Sequence, residues 1–176
     1  MPHLDVLPKK YTAVGNRANF VEIKNGEAVA FEDNWAGMSA TYDFASGLEQ
    51  AIKALEAYNP TDGLMDWAFA EAGYLIDHDE KTAIGFGVPF GADEFFDEGD
   101  DLEPPEEDPA ISKLQSGDYT GFLQAISGAW PGWRLVWDER GVDAFSAHLS
   151  RRGIKGIQCA DHSYPPDTKP PIWVQS

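Results

Sequence analysis

The sequence predicts an α+β fold in which a mainly antiparallel sheet, built from hairpins, carries about three helices on one face. Two stretches of β-favouring residues around a short polar turn predict the hairpins. Several stretches with apolar residues at helical spacing predict the helices. Hydrophobic residues make up 43% of the 176 residues, so the chain can bury a sizeable core. A single domain over residues 1–176 accommodates all these elements.

The first hairpin follows an irregular opening (residues 1–16) and turns at Asn25-Gly26, a dipeptide that readily adopts the positive φ angles of a tight turn. Apolar residues alternate with other residues on both sides of this turn. They are Val21, Ile23, Val29 and Phe31. A period of two places these side chains on one face of each strand, as in a half-buried sheet.

A helix is predicted from Phe44 to Leu55, because its apolar residues recur at helical spacing and form one face. Ser46 and Glu49 form a capping-box pattern, and Asp43 offers a slightly earlier cap. Asn59-Pro60 ends the helix, since a residue that precedes proline disfavours the α region. A second hairpin is then predicted, with strands Tyr74–Asp77 and Thr82–Phe86 around a polar turn. Its glycines at 85 and 87 suggest a bulge or a close backbone approach.

The second half of the chain adds helices and short strands. Ile111 and Leu114 suggest a short helix, and apolar spacing predicts a longer one over Tyr119–Ala129. Pro131-Gly132 turns the chain into the strand Trp133–Trp137, in which the odd-numbered residues share one face. The remaining predictions are a helix over Val142–Arg151, ended by Gly153, a last strand in residues 153–160, and a proline-rich tail over residues 161–176. Ile172 and Trp173 of this tail are expected to dock on the body.

The densest charge lies between Asp93 and Asp108, where sixteen residues include ten carboxylates and no Lys or Arg. These residues form most of a predicted acidic loop (residues 91–110), which is long for a compact domain and therefore either functional or disordered. With a net charge of −17 the chain repels nucleic acid and anionic membranes and attracts basic proteins. High negative charge also favours solubility by itself.

These observations predict a non-enzymatic binding protein whose partner is a basic protein. Phe95 and Phe96 supply apolar anchors within the acidic run. Trp35 follows three polar residues, and it either fills or caps the core or serves as an exposed anchor for a protein partner. The predicted partner-binding residues are Asp93, Glu94, Phe95, Phe96, Asp97, Glu98, Asp100, Asp101, Glu103 and Trp35.

No pattern of residues predicts a catalytic, metal or cofactor site. Asp77-His78-Asp79-Glu80 has a metal-like composition, but adjacent strand residues point to opposite faces and hairpin turns are ordinarily polar. With Gly99 at the sixth position of a calcium loop, Phe96 and Pro105 occupy positions that require oxygen ligands. The alternative hypothesis is a hydrolase or metal-dependent enzyme that uses acids of the 77–80 turn and the acidic loop.

Cys159 is the only cysteine, so the chain cannot form an internal disulfide. It lies three residues before His162, a weak signal for a reactive thiol. The opening residues lack the apolar stretch of a secretory signal, and no segment has the roughly 18 apolar residues of a membrane span. These features predict a cytoplasmic protein.

Three motifs resemble segments of a group of small bacterial α+β proteins. They are Phe31-Glu32-Asp33-Asn34-Trp35, the strand Gly73–Asp77, and Trp130-Pro131-Gly132-Trp133 followed by a strand and a helix as far as Leu149. The resemblance covers scattered parts of residues 20–150 and implies an α+β fold without a catalytic motif. The acidic composition is also similar in style to toxin-immunity proteins. This similarity implies an inhibitor that neutralises a basic bacterial toxin.

Overall fold

The computed structural model describes residues 17–65, 69–89, 108–159 and 168–176. Within these residues the chain forms a seven-stranded sheet and five α-helices, which confirms the α+β class. The strands are β1 (Ala18–Lys24), β2 (Glu27–Asp33), β3 (Asn59–Thr61), β4 (Ala72–Asp77), β5 (Thr82–Phe86), β6 (Arg134–Trp137) and β7 (Ile172–Gln175). The helices are α1 (Ala40–Ala45), α2 (Leu48–Leu55), α3 (Pro109–Gln115), α4 (Tyr119–Ile126) and α5 (Val142–Arg152). Among the described residues, no helix has the length and apolarity needed to cross a bilayer.

The sheet is mixed, with the strand order β3-β2-β1-β4-β5-β6-β7. Four of the six neighbouring pairs are antiparallel, whereas β1 runs parallel to β4 and β5 runs parallel to β6. The prediction of a mainly antiparallel sheet therefore misses two pairings. Parallel neighbours require crossover connections, which α1 and α2 provide for the first pair and α3 and α4 provide for the second.

Helices cover both faces of the sheet. Helices α1 to α4 pack on one face, around a core that includes Phe44, Tyr74 and Trp137. Helix α5 packs on the other face, where Phe145 lies in a second core with Leu75. The prediction of about three helices on one face was therefore wrong in both number and placement. The central strand β4 is buried along its whole length, as a strand covered on both sides must be.

The predicted helix over residues 44–55 is two helices, because Gly47 interrupts it. The φ angle of Gly47 is 114°, and a Cβ atom there would lie 2.7 Å from the Cβ atom of Ala129. Only glycine allows this close approach. The Ser46 hydroxyl donates a hydrogen bond to the Tyr42 carbonyl, so the predicted capping box does not form. After α2, Asn59–Thr61 adds a short edge strand to β2.

Both predicted hairpins are confirmed as β1–β2 and β4–β5. Asn25 and Gly26 have φ angles of 55° and 75°, as a tight turn requires. Helix α5 extends one residue beyond its predicted end, and Gly153 follows it in the left-handed conformation. The predicted helix over Tyr119–Ala129 consists of α4 and a short 3-10 helix.

The C-terminal predictions need correction. Within residues 153–159, the described part of the predicted last strand, no strand forms, and the segment makes one isolated bridge, between Gly63 and Gln158. The last strand is instead β7, which pairs with β6 and comes from the segment predicted to be proline-rich tail. Ile172 packs against the core, as expected, but Trp173 is 54% exposed. The predicted acidic loop is also too long by two residues, since Pro109 and Ala110 begin α3.

Candidate functional site

One end of the sheet carries Trp35, the one described residue of the predicted partner-binding set, and the end of β5, after which the acidic run follows in the chain. Strand pairing brings the last residues of β2, β5 and β6 to the same end as the first residues of β1 and β4. We call this the apical end, formed by Ala18, Asp33, Ala72, Phe86 and Trp137. The opposite, basal end carries the turns of the two hairpins.

Large apolar side chains are exposed around the apical end. Trp35, two residues beyond β2, is 65% exposed, Val88, two residues beyond β5, is 48% exposed, and Phe69, three residues before β4, is 46% exposed. They are three of the six large hydrophobic side chains exposed in the described residues. Exposed apolar groups with a polar surround are typical of protein-binding surfaces.

The local structure around Trp35 keeps its indole outside the core. The Trp35 amide donates a hydrogen bond of 2.7 Å to the Asp33 carboxylate, which fixes the turn after β2. The next residue, Ala36, is buried and begins a 3-10 helix. Of the two interpretations that the sequence left open for Trp35, a place in the core is ruled out by its exposure, and its role as an anchor stays a prediction. The indole neither fills nor caps the core.

Pro89, which precedes the acidic run, and Asp108, its last residue, both contact one short helix, α3. The Gln115 side chain donates a hydrogen bond of 3.1 Å to the carbonyl of Pro89, just before the run. At its other end, the Asp108 carboxylate accepts hydrogen bonds from the amides of Ala110 and Ile111 and caps α3. Burial and the negative charge of Asp108 raise the pKa of Tyr42 on α1. The run therefore ends within electrostatic range of an exposed tyrosine.

Nine of the ten residues predicted to bind a partner lie outside the described residues. They are Asp93, Glu94, Phe95, Phe96, Asp97, Glu98, Asp100, Asp101 and Glu103. The structure thus describes only Trp35 of this set, together with the residues that flank the run. Asp33, Phe69 and Val88 lie at the same end of the sheet and had not been singled out, because strand pairing rather than chain position brings them there.

A second group of charged residues lies at the basal end, around the buried carboxylate of Asp77. One of its oxygens accepts hydrogen bonds from the amides of Asp79 and Glu80, at 3.0 and 3.1 Å. The other oxygen accepts a bond of 2.5 Å from Arg152 and lies 2.8 Å from Nε2 of His148. Burial alone would raise the pKa of Asp77, but these hydrogen bonds outweigh it and lower the pKa.

Asp79 joins the two hairpin turns at this end. Its carboxylate accepts hydrogen bonds of 2.8 Å from the amides of Asn25 and Gly26 and lies 3.2 Å from Arg152. The Asn25 and Gly26 amides and Arg152 lower the pKa of Asp79. The polar turn predicted at residues 77–80 is thus confirmed as a structural element.

The same cluster has the composition of a metal site. Asp77, Glu80 and His148 place one potential ligand atom each within 4.8 Å of one another. However, Arg151 lies 2.6 Å from Glu80, and Arg152 bonds Asp77 and approaches Glu80 to 3.6 Å. The two guanidinium groups therefore provide the positive charge that a metal ion would bring. The arrangement is that of an ion-pair network between the β4–β5 turn and α5.

The two histidines near this cluster lie on opposite faces of the sheet. His148 lies one position off the apolar face of α5 and is buried beside Asp77. Its separation of four residues from Arg152 places both side chains on one face of α5, and that spacing was the available signal. His78 points to the opposite face of the sheet from Asp77 and lies 2.7 Å from Glu22.

Comparison with protein-family models finds no match, and no curated protein or solved structure is significantly similar to the chain. The resemblance to small bacterial α+β proteins therefore stays a prediction from short motifs.

Proposed function

We propose that the chain is a non-enzymatic acidic binding protein, namely an immunity protein or inhibitor that neutralises a basic bacterial toxin. The observation that carries this proposal is the convergence at the apical end. There, the exposed Trp35 and Val88 follow the ends of β2 and β5, the exposed Phe69 precedes β4, and the acidic run comes after β5 in the chain. Apolar anchors supply contact area that excludes water, and the surrounding carboxylates select a cationic partner.

The charge distribution supports a basic partner. The ten carboxylates between Asp93 and Asp108 account for more than half of the net charge of −17. Such a field accelerates association with a cationic surface and weakens as salt screens it. Phe95 and Phe96 lie within the run, where they offer apolar contacts to a partner that the charge has attracted.

Capture from the native host under endogenous expression tests the proposal, followed by affinity measurements at rising salt. The test variant replaces the first four acids of the run, Asp93, Glu94, Asp97 and Glu98, by Asn or Gln. The control variant makes the same four-charge change at Glu27, Glu49, Glu56 and Asp62. We expect to capture a basic protein whose affinity for the chain falls as the salt concentration rises. This affinity should fall far more in the test variant than in the control variant. Equal losses in the two variants, or a partner with no net positive charge, would contradict the proposal.

The alternative of a metal-dependent hydrolase is favoured by one observation, the proximity of Asp77, Glu80 and His148. For this function Arg151 and Arg152 would have to withdraw from the cluster, which would leave desolvated carboxylates unpaired. Calorimetric titration with Zn²⁺ tests it. We expect no saturable binding that depends on His148, whereas binding abolished by His148→Ala would support the enzyme.

A further inference from the structure

The turn of the first hairpin contains the single Asn-Gly pair of the chain. Of the five asparagines, Asn25 alone precedes a glycine, whereas residues with large side chains or proline follow the other four. A side chain on the following residue shields its backbone nitrogen, and glycine offers no such shield. Asn25 and Gly26 are both exposed, so water reaches the turn. Asn25 is therefore the asparagine whose side-chain carbon Cγ is most open to attack by the next backbone nitrogen.

The reaction open to this pair is deamidation through a cyclic imide. The Gly26 nitrogen loses its proton and forms a bond to Cγ of Asn25, while the bond from Cγ to Nδ2 breaks. Nδ2 takes up a proton and leaves as ammonia. Water then opens the ring at one of two bonds. Cleavage between the nitrogen and Cγ gives aspartate, whereas cleavage between the nitrogen and the backbone carbonyl carbon of residue 25 gives isoaspartate.

The structure holds the attacking nitrogen in its unreactive, protonated form. The Gly26 N–H group donates a hydrogen bond of 2.8 Å to one oxygen of the Asp79 carboxylate, and the Asn25 N–H group donates one of 2.8 Å to the other. Attack requires Gly26 to lose this proton, and a negative carboxylate beside the nitrogen opposes that loss. Ring formation also breaks a charge-assisted hydrogen bond, which is one of the stronger kinds. Asp79 therefore slows the reaction.

Asp79 is suited to protect the turn rather than to act as a base. The hydrogen bonds from the two turn amides, that of Gly26 foremost, and the contact with Arg152 lower the pKa of Asp79. A carboxylate with a lowered pKa is a weaker proton acceptor. Arg152 lies 3.2 Å from the oxygen that Gly26 bonds, and the His78 amide donates a hydrogen bond of 2.9 Å to the Ile23 carbonyl. These contacts fix the carboxylate on the turn.

We propose that Asn25 is a site of spontaneous deamidation and that Asp79 sets its rate. The site reacts slowly while the β4–β5 turn stays docked on the first hairpin, and it reacts at the rate of an unprotected Asn-Gly pair whenever that contact opens. Isoaspartate adds one atom to the backbone of a tight turn, and aspartate places a second negative charge beside Asp79. Both products oppose the return of the contact, so the modification records how often the basal end has opened.

The test incubates the full chain at mildly alkaline pH and follows the peptide that contains residues 25 and 26 by liquid chromatography and mass spectrometry. This method separates the unmodified, aspartyl and isoaspartyl forms. Asp79→Ala should raise the deamidation rate of Asn25 about tenfold, because it removes hydrogen bonds to a charged acceptor. Glu27→Gln is the control. It removes a negative charge next to the turn without removing an acceptor of either amide, and it should leave the rate unchanged.

Two further measurements separate the role of Asp79 from that of folding in general. Asp79→Asn keeps an acceptor oxygen without the charge, so it should raise the rate by less than Asp79→Ala does. Wild type unfolded in urea gives the rate of the unprotected pair, which should be far above that of folded wild type. Equal rates in wild type and a folded Asp79 variant, or equal rates in folded and unfolded wild type, would overturn the inference. A slower reaction in Asp79→Ala would also overturn it, because it would make Asp79 a base.

Discussion

The Asp77 carboxylate lies 2.8 Å from Nε2 of His148, and this contact joins the end of β4 to α5 across the sheet surface. Both side chains are buried, and Arg152 completes the arrangement on the same carboxylate oxygen. The sheet and α5 also share apolar contacts, among them Phe86 against Phe145. The ion-pair network therefore fixes the position of α5 on a hydrophobic surface that by itself tolerates sliding.

Replacing Asp77 by Asn should destabilise the protein by about 3 kcal/mol, because it leaves Arg152 and His148 without their buried anionic partner. Urea unfolding at pH 7 measures the change in free energy. The matched control is Asp62→Asn, at an exposed carboxylate, which should change it by less than about 0.5 kcal/mol. Equal effects of the two substitutions would show that the network does not stabilise the fold.

The stabilities of wild type and Asp77→Asn should depend differently on pH. The pKa of Asp77 is lower in the folded chain than in the unfolded chain. Its contribution to the free energy of unfolding is therefore complete above the unfolded pKa of about 4, and it is lost as the pH falls through the folded pKa. The stability advantage of wild type over Asp77→Asn should therefore shrink below about pH 4. Urea midpoints between neutral and acidic pH test this. An advantage that stays constant into strong acid would contradict the pKa shift.

Gly73 should be irreplaceable in the parallel pairing of β1 and β4. A Cβ atom at this position would lie 1.8 Å from the carbonyl oxygen of Asn19, so alanine forces the two strands apart. We expect Gly73→Ala to cost about 3 kcal/mol of unfolding free energy or to prevent folding. Gly128→Ala is the control, since no heavy atom lies within 4 Å of a Cβ atom there. Similar unfolding curves for both variants would refute the close approach.

Trp35 should contribute little to stability despite its size. We expect Trp35→Ala to change the free energy of unfolding by less than about 0.5 kcal/mol. In contrast, Trp130→Ala should cost about 3 to 5 kcal/mol, since Trp130 is fully buried and its indole donates a hydrogen bond to Phe44. Acrylamide quenching of tryptophan fluorescence should also decrease in Trp35→Ala. A large loss of stability in Trp35→Ala would show that Trp35 packs in the core.

Local patterns were sufficient for the elements whose partners are close in sequence. The turn at Asn25-Gly26 specifies the β1–β2 hairpin, and the apolar face of residues 142–152 specifies α5. The parallel pairing of β1 with β4 involves residues about fifty positions apart, so no local period signals it. Gly47 was missed for a related reason, because its requirement for glycine comes from Ala129.

The candidate sites show the same division. The acidic run, Trp35 and the Asn25-Gly26 pair are visible in the sequence, whereas the contact of Asp79 with this pair requires the two hairpin turns to meet. His148 lies beside the apolar stripe of its helix, and only the approach of Asp77 from β4 explains its burial. Polar residues whose partners lie far along the chain are those that periodicity describes least well.

The attachment of both flanks of the acidic run to α3 has a consequence for evolution. Pro89 and Asp108 are each hydrogen-bonded to α3, which is roughly 10 Å long. The segment of residues 90–107 can therefore become longer or shorter, or change its charge, while the strands keep their register. Under the proposed function, selection could thus retune recognition as a partner diverges, at little risk to the scaffold.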